Sequence, residues 1–231
     1  VITTVKGSKN TAGRIEINSY YGMQKELKRY YSLTAQQYAI ASNEWLKNEG
    51  QEPYFSQNEI DALGKGTDWW AEFIKPAPVQ SHTLNFSGGG ENTTYSWSIN
   101  YFDQVGLMIN TGAKRGNTRL NLTHDVNKKV KLGLNVVLSR RQVNEVPFNN
   151  AAWHDGILGS PPTLPVKDEN GNYTRVGTVY NWTLGNIPNM GIYSKPFKDR
   201  NVSNSVFANT SIQFKITKEL IFESRNGLDY G

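Results

Sequence analysis

The sequence predicts an all-β chain: an antiparallel meander of seven strands forming part of a transmembrane β-barrel, with long, partly helical extracellular loops at one end and tight turns at the other. Two observations predict it. Apolar and polar side chains alternate over stretches long enough to cross a bilayer, and the connections between those stretches alternate strictly between long and short. Windowed hydropathy is silent on such a fold, because lipid-facing residues alternate with lumen-facing ones. Nowhere do more than a handful of apolar residues run together, as in Val136-Val137-Leu138, so no transmembrane helix is available.

The strands follow in order. Arg14 to Gly22 and Val79 to Ser87 come first. In Asn92 to Phe102, Tyr95, Trp97, Ile99 and Tyr101 share one face while Thr94, Ser96, Ser98 and Asn100 share the other. Arg115 to Val126 precedes the clearest case, Val130 to Arg141, where Leu132, Leu134, Val136 and Leu138 oppose Lys131, Gly133, Asn135 and Ser139. Val202 to Ile216 and Leu220 to Tyr230 complete the set. The connections 23–78, 103–114 and 142–201 are long, whereas 88–91, 127–129 and 217–219 are short and polar, as turns require. A soluble sandwich has no reason to gather every tight turn at one end. An outer-membrane barrel does. The first long loop holds a helix over Thr34 to Asn48 and a shorter one opened by Ser56-Gln57-Asn58-Glu59, a capping signature. The second carries Pro147, Pro161, Pro162, Pro165, Pro188 and Pro196, which points to order by packing.

Composition narrows the classes. The 231 residues are 37% hydrophobic and 12% aromatic with a net charge of +5, which argues against disorder, and the lack of cysteine excludes a disulfide scaffold. Basic residues are scattered over both ends of the strands, so no nucleic acid partner is expected. Lys114, Arg115, Arg140, Arg141 and Arg200 fall at the outer strand ends, where they would meet lipopolysaccharide phosphates. Both chain ends look cut, with no signal peptide at Val1 and a final strand lacking a partner.

From Gly66 to Leu107 the sequence becomes specific. The run Gly66-Thr67-Asp68-Trp69, then Ala77-Pro78-Val79-Gln80-Ser81-His82-Thr83-Leu84, then Ser87-Gly88-Gly89, Thr94-Tyr95-Ser96 and Tyr101-Phe102-Asp103-Gln104-Val105-Gly106, closely resembles the SusC/RagA-type TonB-linked outer-membrane transporters of Bacteroidetes. The opening Val1 to Gly7 resembles the strand that closes the plug domain of that family, and Gly227-Leu228-Asp229-Tyr230 is similar to a family phrase. The resemblance implies an antiparallel meander within a large transmembrane β-barrel of the bacterial cell outer membrane, with 1–13 as the end of the plug and its linker and 14–231 as the N-terminal portion of the barrel. It implies TonB-dependent import of a large nutrient, a glycan or peptide fragment. The implied partners are a SusD-like surface lipoprotein, the TonB complex through regions outside this sequence, outer-membrane lipid and lipopolysaccharide. No cofactor is expected.

The residues show no catalytic constellation. His82 and His124 fall in strands and His154 in a loop, none with a second ligand at metal-site spacing, so neither a metal site nor an enzyme is expected. Gly88-Gly89-Gly90 lacks the lysine and helix of a phosphate loop. Loop aromatics are the candidate substrate-binding residues: Trp153, Trp182, Tyr180 and Trp70 carry flat rings able to stack on a sugar or pack a peptide. Trp69 is expected to anchor the first loop against the barrel wall. Two alternatives stay open, a soluble β-sandwich carbohydrate-binding module with its apolar strand face buried, and a hydrolase using Asp68 and Glu72 or Asp155 and Asp168.

Overall fold

The computed structural model describes residues 7–145, 156–180, 187, 189–194 and 199–231. Seven strands form one sheet in sequence order: β1 (Thr11–Gln24), β2 (Ala77–Gly89), β3 (Thr93–Val105), β4 (Gly112–Asp125), β5 (Val130–Glu145), β6 (Asp199–Lys215) and β7 (Ile221–Tyr230). Every neighbouring pair is antiparallel, so the turns β2–β3, β4–β5 and β6–β7 share one end and the long connections the other. The sheet does not close; β1 and β7 each have a single neighbour.

Local chemistry makes the turns. Asn127 Oδ1 accepts from the backbone N–H groups of Lys129 and Val130 at 2.8 and 3.0 Å, and Thr217 Oγ1 does the same for Glu219 and Leu220 at 3.2 and 3.0 Å. At the other end the strands run further than alternation alone suggests, to Val105 and Glu145 and from Asp199. Charged rim residues hide the period there, while ladder hydrogen bonds carry it on.

Helices sit between β1 and β2. Helix α1 (Ala35–Asn48) opens on a capping box between Thr34 and Gln37, and α2 (Gln57–Ala62) on one between Ser56 and Glu59. A third, α3 (Trp69–Phe73), begins where the Asp68 carboxylate accepts from Ala71 N–H at 3.0 Å. Two single turns, α4 (Val176–Val179) and α5 (Met190–Ser194), lie between β5 and β6.

The buried core belongs to the loops and not to the strands. Its main cluster joins Ala39, Phe55, Ile60, Trp69, Trp70 and Phe73 of the first long loop to Ile157, Leu164, Val176, Tyr180 and Met190 of the second. The third connection joins in. Lys75 N–H donates to Leu107 O at 2.8 Å, Ile109 N–H to Phe73 O at 3.0 Å, and Met108 and Ile109 pack on the cluster. Three connections therefore fold as one cap over the long-loop end of the sheet.

Candidate functional site

Parity separates the two faces of the sheet. Ile15, Phe86, Trp97, Leu120, Val136, Ala208 and Leu228 stand opposite one another across all seven strands. One residue along, on the other face, Arg14, Ser87, Ser96, Asn121, Asn135, Asn209 and Gly227 form a polar row. Leu132, Leu134, Val136 and Leu138 share the apolar face, with Gly133, Asn135 and Ser139 on the polar one. The apolar face is bare: Trp97 is 43% exposed, Phe222 59% and Leu228 60%. A sandwich would bury this face, so the soluble-module alternative is not favoured. Trp97 keeps its indole N–H satisfied by Thr118 Oγ1 at 2.7 Å, as a ring facing hydrocarbon must.

The polar face carries the grooves of the sheet. Its amides link strand to strand: Asn135 donates to Asn121 Oδ1, Asn121 to Ser96 Oγ at 3.1 Å, and Asn100 to Thr83 Oγ1 at 2.8 Å. The segment before β1 crosses this face at the turn end. Lys9 pairs with Asp125, Asn10 N–H donates to Gly90 O at 3.1 Å, and Gly7 lies so close to the backbone of Tyr95 and Gly88 that a side chain would collide with both.

The cap is tied by polar groups that each satisfy several partners. Asn43 Oδ1 accepts from the Tyr54 and Phe55 N–H groups at 2.9 and 3.0 Å, and its Nδ2 donates to Phe55 O at 2.7 Å. Buried Asn189 donates to Val166 O and Thr174 O at 2.9 and 2.8 Å. Trp69, which α3 turns inward, donates to Pro161 O at 2.9 Å, and Thr67 N–H to Pro162 O at 2.8 Å. Trp69 thus anchors the first loop to the second loop, where the sequence suggested the barrel wall. Gly66 makes that junction with φ +72°, and a Cβ there would strike Pro162 O. Gly66→Ala should therefore cost about 1–3 kcal/mol of cap stability, seen as faster proteolysis of the loops with the barrel intact.

Asp68 shows how the cap answers to pH. Its partial burial raises the carboxyl pKa, but the Ala71 N–H, the Arg29 guanidinium and the Trp70 N–H outweigh that and hold it below its ordinary value. A depressed carboxylate contributes stability that is present above the unfolded value, roughly pH 4, and lost as pH falls through the folded one. Limited proteolysis should find the cap intact at mildly acid pH and loosened only below about pH 4.

Of the aromatics singled out by sequence, Trp153 and Trp182 lie outside the described residues. The other two are buried. Tyr180, 3% exposed, meets Tyr54 and Phe55 edge-on at 5.6 and 5.9 Å, and its hydroxyl bonds Thr163 Oγ1 at 2.6 Å; burial raises its pKa. Trp70, 7% exposed, meets Tyr30 edge-on at 6.0 Å, and its buried indole N–H has no hydrogen-bond partner among the described residues. The second loop is ordered by packing, as its prolines suggested: Ile157, Leu164, Val176 and Met190 are spread without periodicity and meet in the cluster shared with the first loop. His82 and His124 bond Ser19 Oγ and Thr93 Oγ1, each at 2.7 Å, and His154 lies outside the described residues. Among the described residues no group of three His, Asp or Glu side chains is placed to hold a metal.

No protein-family model matches the chain. It is 27% identical to TonB-dependent receptor P3 of Formosa agariphila over 194 residues, 84% of this chain and 16% of that receptor. It is 25% identical to the TonB-dependent receptor SusC of Bacteroides thetaiotaomicron, over 77% of this chain and 17% of SusC. The chain is similar to TonB-dependent receptors, SusC among them, over most of its length. The fold agrees: a solved structure of the RagAB peptide importer in its closed-closed state superposes with a TM-score of 0.71 at 24% identity, over 98% of this chain and 29% of that one. The chain thus spans about a sixth of the curated relatives it matches first. Outer-membrane barrels have an apolar outward face, a polar lumen and short periplasmic turns, the pattern this sheet also has. The parity of the strands also sorts the basic rim. Lys114, Arg140 and Arg200 share the apolar face, whereas Arg115 and Arg141 share the polar one.

Proposed function

We propose that this chain forms part of the wall and extracellular mouth of a TonB-dependent importer of a large nutrient, a glycan or peptide fragment, and that its role is transport and not catalysis. The observation that carries the reading is the pairing of a bare apolar face and a hydrogen-bonding polar face with a folded cap at the long-loop end alone. Relatives named as SusC and as a peptide importer support it. A SusD-like lipoprotein is the partner this reading assigns to the cap. In support, Leu27 and Tyr31 are exposed, at 106% and 90%, on the basic segment between β1 and α1, and no described residue covers them. Residues 1–13 are read as the end of the plug and its linker, in keeping with the course of Gly7 to Asn10 over the polar face, and 14–231 as barrel. TonB is reached through regions outside this sequence, and the lipid-side Lys114, Arg140 and Arg200 are assigned to lipopolysaccharide.

For the cargo, Trp153 and Trp182 are proposed to present rings at the mouth, with Trp70 and Tyr180 contributing from the layer below. Trp70 supports its part by holding an indole donor with no partner among the described residues. Deleting the complete gene should abolish growth on one polymeric nutrient and no other, and the tagged receptor should co-purify with a surface lipoprotein. Unchanged growth on every nutrient would overturn the import reading.

A further inference from the structure

The polar wall carries charge at both ends. Toward the turns, carboxylates lie among the cations: Lys9 pairs with Asp125 and Arg225 with Glu223 at 2.6 Å, with Lys131 and Lys215 beside them. Toward the cap the arginines have no such pairs. Arg115 and Arg141 stand directly opposite on β4 and β5, and Arg119 lies four residues deeper on the same face of β4, roughly 13 Å along the strand. None of the three makes an ion pair or hydrogen bond among the described residues; Arg115 only lies over the Phe102 ring at 5.7 Å, which holds it in place. Like charges directly opposite in a sheet repel, so the pair is costly unless an anion sits on it. The groove that Arg115 and Arg119 line measures about 490 Å³, the size of a small-molecule site, and no lining residue is acidic. Of the other carboxylates on this face, Glu16 is on β1 and paired with Arg14, Asp229 is on the last strand, and Glu145, with Asp199 opposite it, is at the rim two same-face positions beyond Arg141. The remaining groove residues include Asn85, Asn100 and Asn117, amides suited to neighbouring sugar hydroxyls.

We propose that this stretch of wall is a recognition surface for an anionic glycan, with the guanidinium groups of Arg115, Arg119 and Arg141 taking its carboxylate or sulfate groups and the asparagine side chains its hydroxyls. The inference rests on the import reading and narrows it to a cargo class. The charge-poor alternative, a neutral glycan or a peptide, would leave these three cations without a counter-charge from the cargo.

The test uses the complete receptor in its host, grown on polygalacturonate, chondroitin sulfate, neutral galactan or a peptide digest. The gene deletion should lose growth on an acidic polymer, and Arg115→Gln with Arg119→Gln should cut uptake of its oligosaccharides about tenfold or more at unchanged outer-membrane abundance, since each removes a charged hydrogen-bond donor. Arg115→Lys with Arg119→Lys should restore part of it, because the charge survives and the bidentate geometry does not. Loss confined to galactan or peptide would overturn the anionic cargo and leave import standing. No loss on any nutrient would overturn both. Sensitivity to a large antibiotic such as vancomycin in the Gln variant, with uptake unchanged, would show that the arginines hold a plug and would likewise overturn the proposal.

Discussion

Val136→Arg in the complete receptor should cost about 2–4 kcal/mol of folding stability in a bilayer, while Asn135→Arg, one residue earlier, should cost about 1 kcal/mol or less. Val136 stands in the row that is apolar from edge to edge, Ile15 to Leu228, flanked along β5 by Leu134 and Leu138 on the same face. A guanidinium there meets hydrocarbon with no partner within reach. Asn135 is in the polar row, and arginine at that site loses a bond to Asn121 but keeps water and neighbouring amides. Denaturant titration of each variant folded into lipid vesicles reads both values. Equal costs, or the reverse order, would mean that the apolar face is not the one that meets lipid.

Trp69→Ala should cost about 3–5 kcal/mol of cap stability, the range for removing a buried indole. Trp69 is 3% exposed, stacks near Phe73 with centroids 6.2 Å apart, and ties α3 to the second loop through Pro161 O, so one substitution opens the joint between both long loops. Proteolysis should then nick the loops in receptor whose barrel still resists heat in detergent. Trp70→Phe makes the contrast. It keeps a ring in the cluster and deletes only an N–H that bonds none of the described residues, so it should disturb the cap far less. Reduced uptake in Trp70→Phe at normal abundance would assign that donor to cargo, and unchanged uptake would leave Trp70 a packing residue alone.

The strands and their order were legible because the information is local. A period of two from Leu132 to Leu138 can be satisfied by one strand with two unlike faces, and loop lengths that alternate long and short already say which ends lie together. Ser56 and Glu59 announced a helix for the same reason, since a capping box closes within four residues. Helix α3 was not legible. Five residues give no period, and its start depends on Asp68, whose carboxylate is also held by Arg29 from far back in the loop.

The sequence by itself therefore determined the alternation, the seven strands, their antiparallel order and the resemblance that names the family. Tertiary structure alone decided which loop residues meet. Trp69 and Pro161 are far apart in the chain, and Ile157, Leu164, Val176 and Met190 carry no pattern until the first loop lies against them. It also decided the register, by which Arg115 turns to the polar face and Lys114 to the apolar one. The reason is the same in both cases: a one-residue change of parity or a contact between distant segments has no local signature, because its free energy comes from surfaces that exist only after the sheet has paired and the loops have closed on each other.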